Sequence, residues 1–142
     1  QMYFLHTIHP HGSALNESVC ISMQGSVRVD LLKKAVRVVM DRHDALRTCL
    51  FEPNALHSGG YHVLQLTTAP GELQVPFRHH CLESGAEAAE VLSREARVPF
   101  NISEAPLFRV HLCQVPAPDD SYLLLVFHHA VIDGMSFGRL FG

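Results

Sequence analysis

The sequence predicts an α+β fold, a mostly antiparallel sheet with helices packed on it. Three observations carry that expectation. Short runs alternate apolar and polar residues with period two, and two pairs of such runs are spaced like hairpins. Two longer windows repeat their apolar residues at helical spacing. One run, YLLLVF at 122–127, is apolar on both faces, as a central strand covered on two sides would be.

The elements follow in chain order. MYFLHTI at 2–8 is apolar and suits either a short helix or an extended segment. The next stretch, IHPHGSALNES, reads as a loop, because Pro10, Gly12, Ser13 and Asn16 are turn formers. VCISMQG at 19–25 puts Val19, Ile21 and Met23 on one face of a half-buried strand. Asp30 suits a helix N-cap, and Leu31, Leu32, Ala35, Val36, Val39 and Met40 then mark a helix over 31–43. LRTCLFE at 46–52 and YHVLQLT at 61–67 read as strands around a loop. After the APGE turn, LQVPFRHHCL at 73–82 reads as extended.

Ser84 and Glu87 form a capping-box pattern ahead of a helix over 85–97, with Glu90 and Arg94 at the favourable i,i+4 spacing and Pro99 as the stop. LFRVHLCQV at 107–115 alternates, Phe108, Val110 and Leu112 against Arg109 and His111. PAPDDS turns the chain into the apolar strand at 122–127, and GMSFGRLF beyond it reads as the start of a third helix.

Composition narrows the function classes. The chain has 142 residues, 47% hydrophobic and 18% charged, which suits one domain with a real core and not a disordered chain. Lys and Arg are scattered and the formal charge is -3, so no basic face points to nucleic acid. No apolar stretch reaches the roughly 18 residues of a membrane span, and no signal-peptide pattern opens the chain; a cytoplasmic location is expected. The chain begins QMYFLH without Met and stops at RLFG, which reads as a piece of a longer polypeptide. Cys20, Cys49, Cys81 and Cys113 form no CxxC, and three lie in apolar runs, so reduced core cysteines are expected.

The chemistry concentrates where the apolar run ends, in His128, His129, Asp133 and Gly134. Successive strand residues face opposite ways, so one histidine can look into a cleft while the other packs behind it. A histidine at the end of a covered strand is held on a rigid element, which favours precise placement. Asp133 falls within a tight turn, where Gly134 supplies conformational freedom. The residues alone also allow two structural histidines and a turn aspartate. A zinc site lacks its third and fourth ligands. His6, His9 and His11 form H-x-x-H-x-H with no acidic residue nearby and read as part of a solvated loop, so no metal is expected.

Taken together, several segments resemble a known family. HHAVIDG (128–134) matches the HHxxxDG motif of condensation domains of nonribosomal peptide synthetases, within the chloramphenicol-acetyltransferase-like superfamily. RHDALRT (42–48) is similar to the family's RHxxLRT motif, and QMYFLH (1–6) to the tail of its first motif. PFNISEAPLFRVHL resembles the segment leading into the histidine strand. HxxxDG alone is shared with acyltransferases that use coenzyme A; the doubled histidine with RHxxLRT is more specific.

The resemblance implies a chloramphenicol-acetyltransferase-like half-domain: residues 1–142 as the N-terminal subdomain of a V-shaped pair, the C-terminal subdomain being absent. It implies amide bond formation between an acyl or peptidyl thioester donor and an aminoacyl acceptor. Both would be delivered on the phosphopantetheine arms of carrier proteins, with no tightly bound cofactor. His129 matches the catalytic histidine, His128 the structural one, Asp133 the loop-shaping aspartate, Arg47 its arginine partner and Gly134 the glycine that leaves room for substrate. Read alone, Arg47 is a surface arginine on a strand. Two alternatives stand beside this: a coenzyme A-dependent acyltransferase, and an inactive half-domain that only binds carriers. A missing second subdomain implies exposed apolar surface and self-association.

Overall fold

The computed structural model describes residues 2–8, 12–25, 27–53, 63–116 and 120–132. In chain order its elements are α1 (Met2–Ile8), β1 (Asn16–Gln24), α2 (Val29–Arg42), a 3-10 turn (Asp44–Arg47), β2 (Thr48–Phe51), β3 (Leu64–Thr67), β4 (Phe77–Cys81), α3 (Gly85–Arg97), β5 (Phe108–Val115) and β6 (Asp120–His128). β1, β6, β5 and β4 lie side by side in one four-stranded sheet, and β2 pairs with β3 in a separate ribbon.

β6 runs antiparallel to both of its neighbours, with Asn16 opposite His128 on one side and Phe108 opposite Phe127 on the other. β4 joins β5 in parallel, Phe77 opposite Val110, so the connection between them needs a crossover, and α3 supplies it. The sheet is therefore mostly antiparallel and the fold α+β, as the alternating runs imply. Leu123, Leu125 and Phe127 pack with Met40 and Leu46 beneath α2. Leu124 and Val126 pack with Ala88, Val91 and Leu92 of α3. The period of two thus divides β6 between two cores, and burying each such side chain contributes about 1.5–3 kcal/mol.

Several boundaries differ from the sequence reading. α2 begins before Asp30: Arg28 holds the N-cap position without a side-chain cap, and Asp30 sits in the first turn, ion-paired with Arg28 at 2.9 Å. Its carboxylate there still complements the helix dipole. The strand read from 46 starts only at Thr48, because Leu46 N–H bonds back to His43 O and Thr48 Oγ1 donates to Asp44 O, tightening the chain into a 3-10 turn. The extended stretch at 73–82 pairs only from Phe77, since Pro76 has no N–H to give; its carbonyl accepts from Val110. α1 resolves the ambiguity at 2–8 in favour of helix.

α3 spans the residues expected. Ser84 Oγ accepts from Glu87 N–H at 3.2 Å, while the Glu87 carboxylate takes Glu83 N–H at 2.9 Å, one residue short of the reciprocal box. Arg94 turns to Glu95 at 3.2 Å. Cys49 and Cys113 are buried free thiols, as expected, but Cys20 and Cys81 are exposed because β1 and β4 are edge strands. The third helix expected at 134–141 lies outside the described residues. Among the described residues, no helix is long and apolar enough to cross a membrane.

One buried polar cluster went unread. His111 on β5 is 1% exposed, with Nδ1 3.2 Å from His80 Nε2 and Nε2 3.8 Å from the Glu95 carboxylate. Burial drives the His111 imidazole down to about 4, against the pull of Glu95, so it is neutral. Glu95 is buried on α3 beside Arg78, Arg94 and His111; burial raises its carboxyl, but these neighbours outweigh that and hold it below its ordinary value.

Candidate active site

The histidine pair stands where the doubly covered strand runs out. His128 ends β6, and its backbone N–H donates to Leu107 O at 2.9 Å, on the β5 side. His129 N–H donates to Leu15 O at 2.8 Å, on the β1 side. The chain then turns, Val131 N–H closing on His128 O at 3.0 Å. Consecutive residues are thus anchored to opposite flanks of the sheet, which fixes the backbone under both rings.

The two side chains have different surroundings. His128 is 1% exposed, wedged edge-on against Phe100 with ring centroids 6.2 Å apart. Burial first, then His6 and His129, push its imidazole down to about 4, so it is neutral. His129 keeps its side chain one-third exposed, at 33%. Its Nδ1 lies 3.3 Å from Glu17 Oε1 on β1 but is shielded from solvent and out of line for a hydrogen bond. The Glu17 carboxylate thus faces the Nδ1 edge of the ring. The division between an inward and a partly open histidine is the one strand alternation implies.

Arg47 is not the surface residue that the strand reading gives. It is 4% exposed. Its Nε donates to Met40 O at 3.1 Å, Nη1 to Thr68 O and Nη2 to the Asp44 carboxylate. It therefore ties the end of α2 to the β2–β3 ribbon. Leu46, next in the chain, belongs to the same core cluster as Phe127 and Ile132, so the arginine turn and the histidine segment share one packing unit. Asp133 and Gly134 lie outside the described residues, and so do His9 and His11.

His6 is the residue that the sequence reading misplaced. It is no part of a solvated loop: it lies on α1, buried, with Nδ1 3.3 Å from His128 Nε2. The apolar run MYFLHTI gave no signal for it: α1 buries His6 while Phe4, Leu5 and Ile8 stay exposed. Glu17 was also unread, because only the register of β1 with β6 brings it beside His129. Among the described residues, no three His, Cys, Asp or Glu side chains are grouped to hold a metal ion. A cavity of about 310 Å³ beneath α2 and one of about 300 Å³ between β4 and α3 are lined by other residues.

Comparison with known proteins gives this arrangement its context. The chain superposes on the starter condensation domain of rhizomide synthetase RzmA with a TM-score of 0.80 at 20% identity, covering 99% of this chain and 32% of that one. The first condensation domain of the CDA synthetase gives 0.80 at 16% identity, covering 99% and 36%. By sequence, the dimodular nonribosomal peptide synthase of Bacillus subtilis (strain 168) is 31% identical over 136 residues, 96% of this chain and 5% of that protein. The hybrid PKS-NRPS synthetase buaA of Petromyces alliaceus is 32% identical over 143 residues, 99% of this chain and 3% of that protein. The chain thus spans a small fraction of these curated relatives and about a third of the two solved domains. The condensation domain family model matches residues 1–142, and the chain belongs to the condensation domain family.

Proposed function

We propose that this chain is the N-terminal subdomain of a condensation domain and supplies the histidine-bearing wall of an amide-forming site. The reading rests on one observation above the others: His129, at the end of a strand buried on both faces, is partly open to solvent with its Nδ1 against a carboxylate. The donor is an acyl or peptidyl thioester and the acceptor an aminoacyl group, each carried on the phosphopantetheine arm of a carrier protein.

In the reaction the acceptor nitrogen attacks the thioester carbonyl carbon. The nitrogen loses a proton to His129 Nε2 as the C–N bond forms. The C–S bond then breaks, and the departing thiolate regains a proton, restoring the imidazole. A free α-amine titrates at about 7.7–8.0, so roughly a tenth to a sixth of it is the nucleophilic free base at pH 7, and that form attacks without prior proton removal. His129 therefore acts chiefly by orienting the amine and taking the proton released on attack. Glu17 steadies the ring, and His128 packs behind it. Arg47 is the partner proposed for Asp133, shaping the loop without touching substrate. Gly134 leaves room beside the acyl group.

The test is His129→Ala in the full-length protein. Its carrier domains are loaded from a panel of aminoacyl-coenzyme A thioesters, and intact-protein mass spectrometry follows amide formation. A positioned general base contributes about 10²–10⁴-fold, and a loss in that range is the expected result. Amide formation at the unsubstituted rate rejects the role given to His129. Turnover of free acyl-coenzyme A without any carrier favours the coenzyme A-dependent reading instead.

A further inference from the structure

The N-terminal helix reaches the histidine pair through His6. His6 Nδ1 lies 3.3 Å from His128 Nε2, and the two rings cross at 65° with centroids 5.2 Å apart. The other nitrogen of His128, Nδ1, accepts the Ala130 N–H at 3.1 Å. That donor fixes the protonation pattern. A neutral imidazole has one donor and one acceptor nitrogen, so His128 carries its proton on Nε2 and gives it to His6. His6 accepts on Nδ1 and bears its own proton on Nε2. Burial lowers both imidazoles, in keeping with a pair of neutral rings.

The consequence falls on the residue in between. Ala130 closes on the His128 ring and Val131 on the His128 carbonyl, and His129 is held inside that turn. We infer that His6 is a positioning residue for His129: by accepting the Nε2 proton it holds His128 in the one tautomer that can receive Ala130 N–H, and so fixes the turn that carries His129. Without that acceptor the buried Nε2–H of His128 has no partner, and relieving it, by turning the ring or moving the proton to Nδ1, gives up the Ala130 N–H bond and loosens the turn. The positioning role rests on the proposed function of His129; the link between His6 and His128 does not.

The experiment uses the full-length protein with two substitutions. His6→Phe keeps an aromatic ring and removes the acceptor. His6→Asn puts an amide oxygen near where Nδ1 stands. A misplacement near 1 Å costs about 10²-fold, so kcat for the carrier-loaded aminoacyl probes is expected to fall about 10- to 100-fold in His6→Phe. KM for the loaded carrier stays unchanged, and His6→Asn recovers most of the loss. Long-range ¹H–¹⁵N spectra of the imidazoles read the tautomer directly: the His128 proton is expected on Nε2 in the parent and in His6→Asn.

A folded His6→Phe with the parent kcat overturns the inference, and so does a parent His128 protonated on Nδ1. Should His6→Phe fail to fold, the parent spectrum and His6→Asn decide: an active His6→Asn with the Nε2 tautomer supports the role, an inactive one overturns it. A His129→Ala variant at full rate overturns the functional reading and the positioning role with it. A dead His129→Ala beside a fully active His6→Phe overturns the positioning role alone.

Discussion

His111 and His128 are each 1% exposed, and each is held neutral with its imidazole lowered to about 4. The unfolded chain has them near about 6.5 and so binds more protons between those values. Stability therefore rises with pH across that window and is lost as pH falls from 6.5 towards 4, by about 3 kcal/mol for each ring once fully expressed. Glu95, His80, Arg109 and Arg78 surround the first ring, and His6 and His129 the second. Urea midpoints at pH 7 and pH 5 should drop accordingly on acidification; a flat profile contradicts the assignment of neutral buried rings. These protonation states were not legible in the sequence. His6 meets His128 across 122 positions, and only the fold brings them together. Arg47 was legible as a motif residue, but its burial depends on which backbone carbonyls the fold brings within its reach.

At the scale of the element, α3 shows what local chemistry can specify. Ser84 and Glu87 mark its start, the apolar stripe its buried face and Pro99 its end, and the helix runs over the residues those signals name. Ser84→Ala removes the acceptor of Glu87 N–H and should cost about 1 kcal/mol, read as a lower urea midpoint with unchanged slope. A change near zero would mean that water caps the helix equally well. Where the signals are tertiary, the reading slips. α2 starts earlier than its best capping residue: Asp30 lies in the first turn, paired with Arg28. β2 starts later than its apolar run, because the Arg47 turn takes the first residues. The strand carrying the histidines was legible for a simple reason: an apolar run of its length with no polar face fits a buried strand between two layers.

At the scale of the whole molecule, the described residues leave apolar side chains in water. Phe4, Leu5 and Ile8 on α1 and Leu31 and Val38 on α2 are exposed, as are Leu64 and Leu66 on β3. The chain matches only about a third of the solved condensation domains. Expressed by itself, it should self-associate, so that light scattering reports masses above 15.8 kDa. A stable monomer at high concentration would show that these patches need no cover. The order of the sheet has another consequence. Its two inner strands, β5 and β6, are encoded after both edge strands, so a chain leaving the ribosome offers β1 its neighbour among the described strands after all the others. Closing Asn16 against His128 must wait for translation to pass the histidine pair, and until then the strand with Val19, Ile21 and Met23 is an unpaired edge open to wrong pairing.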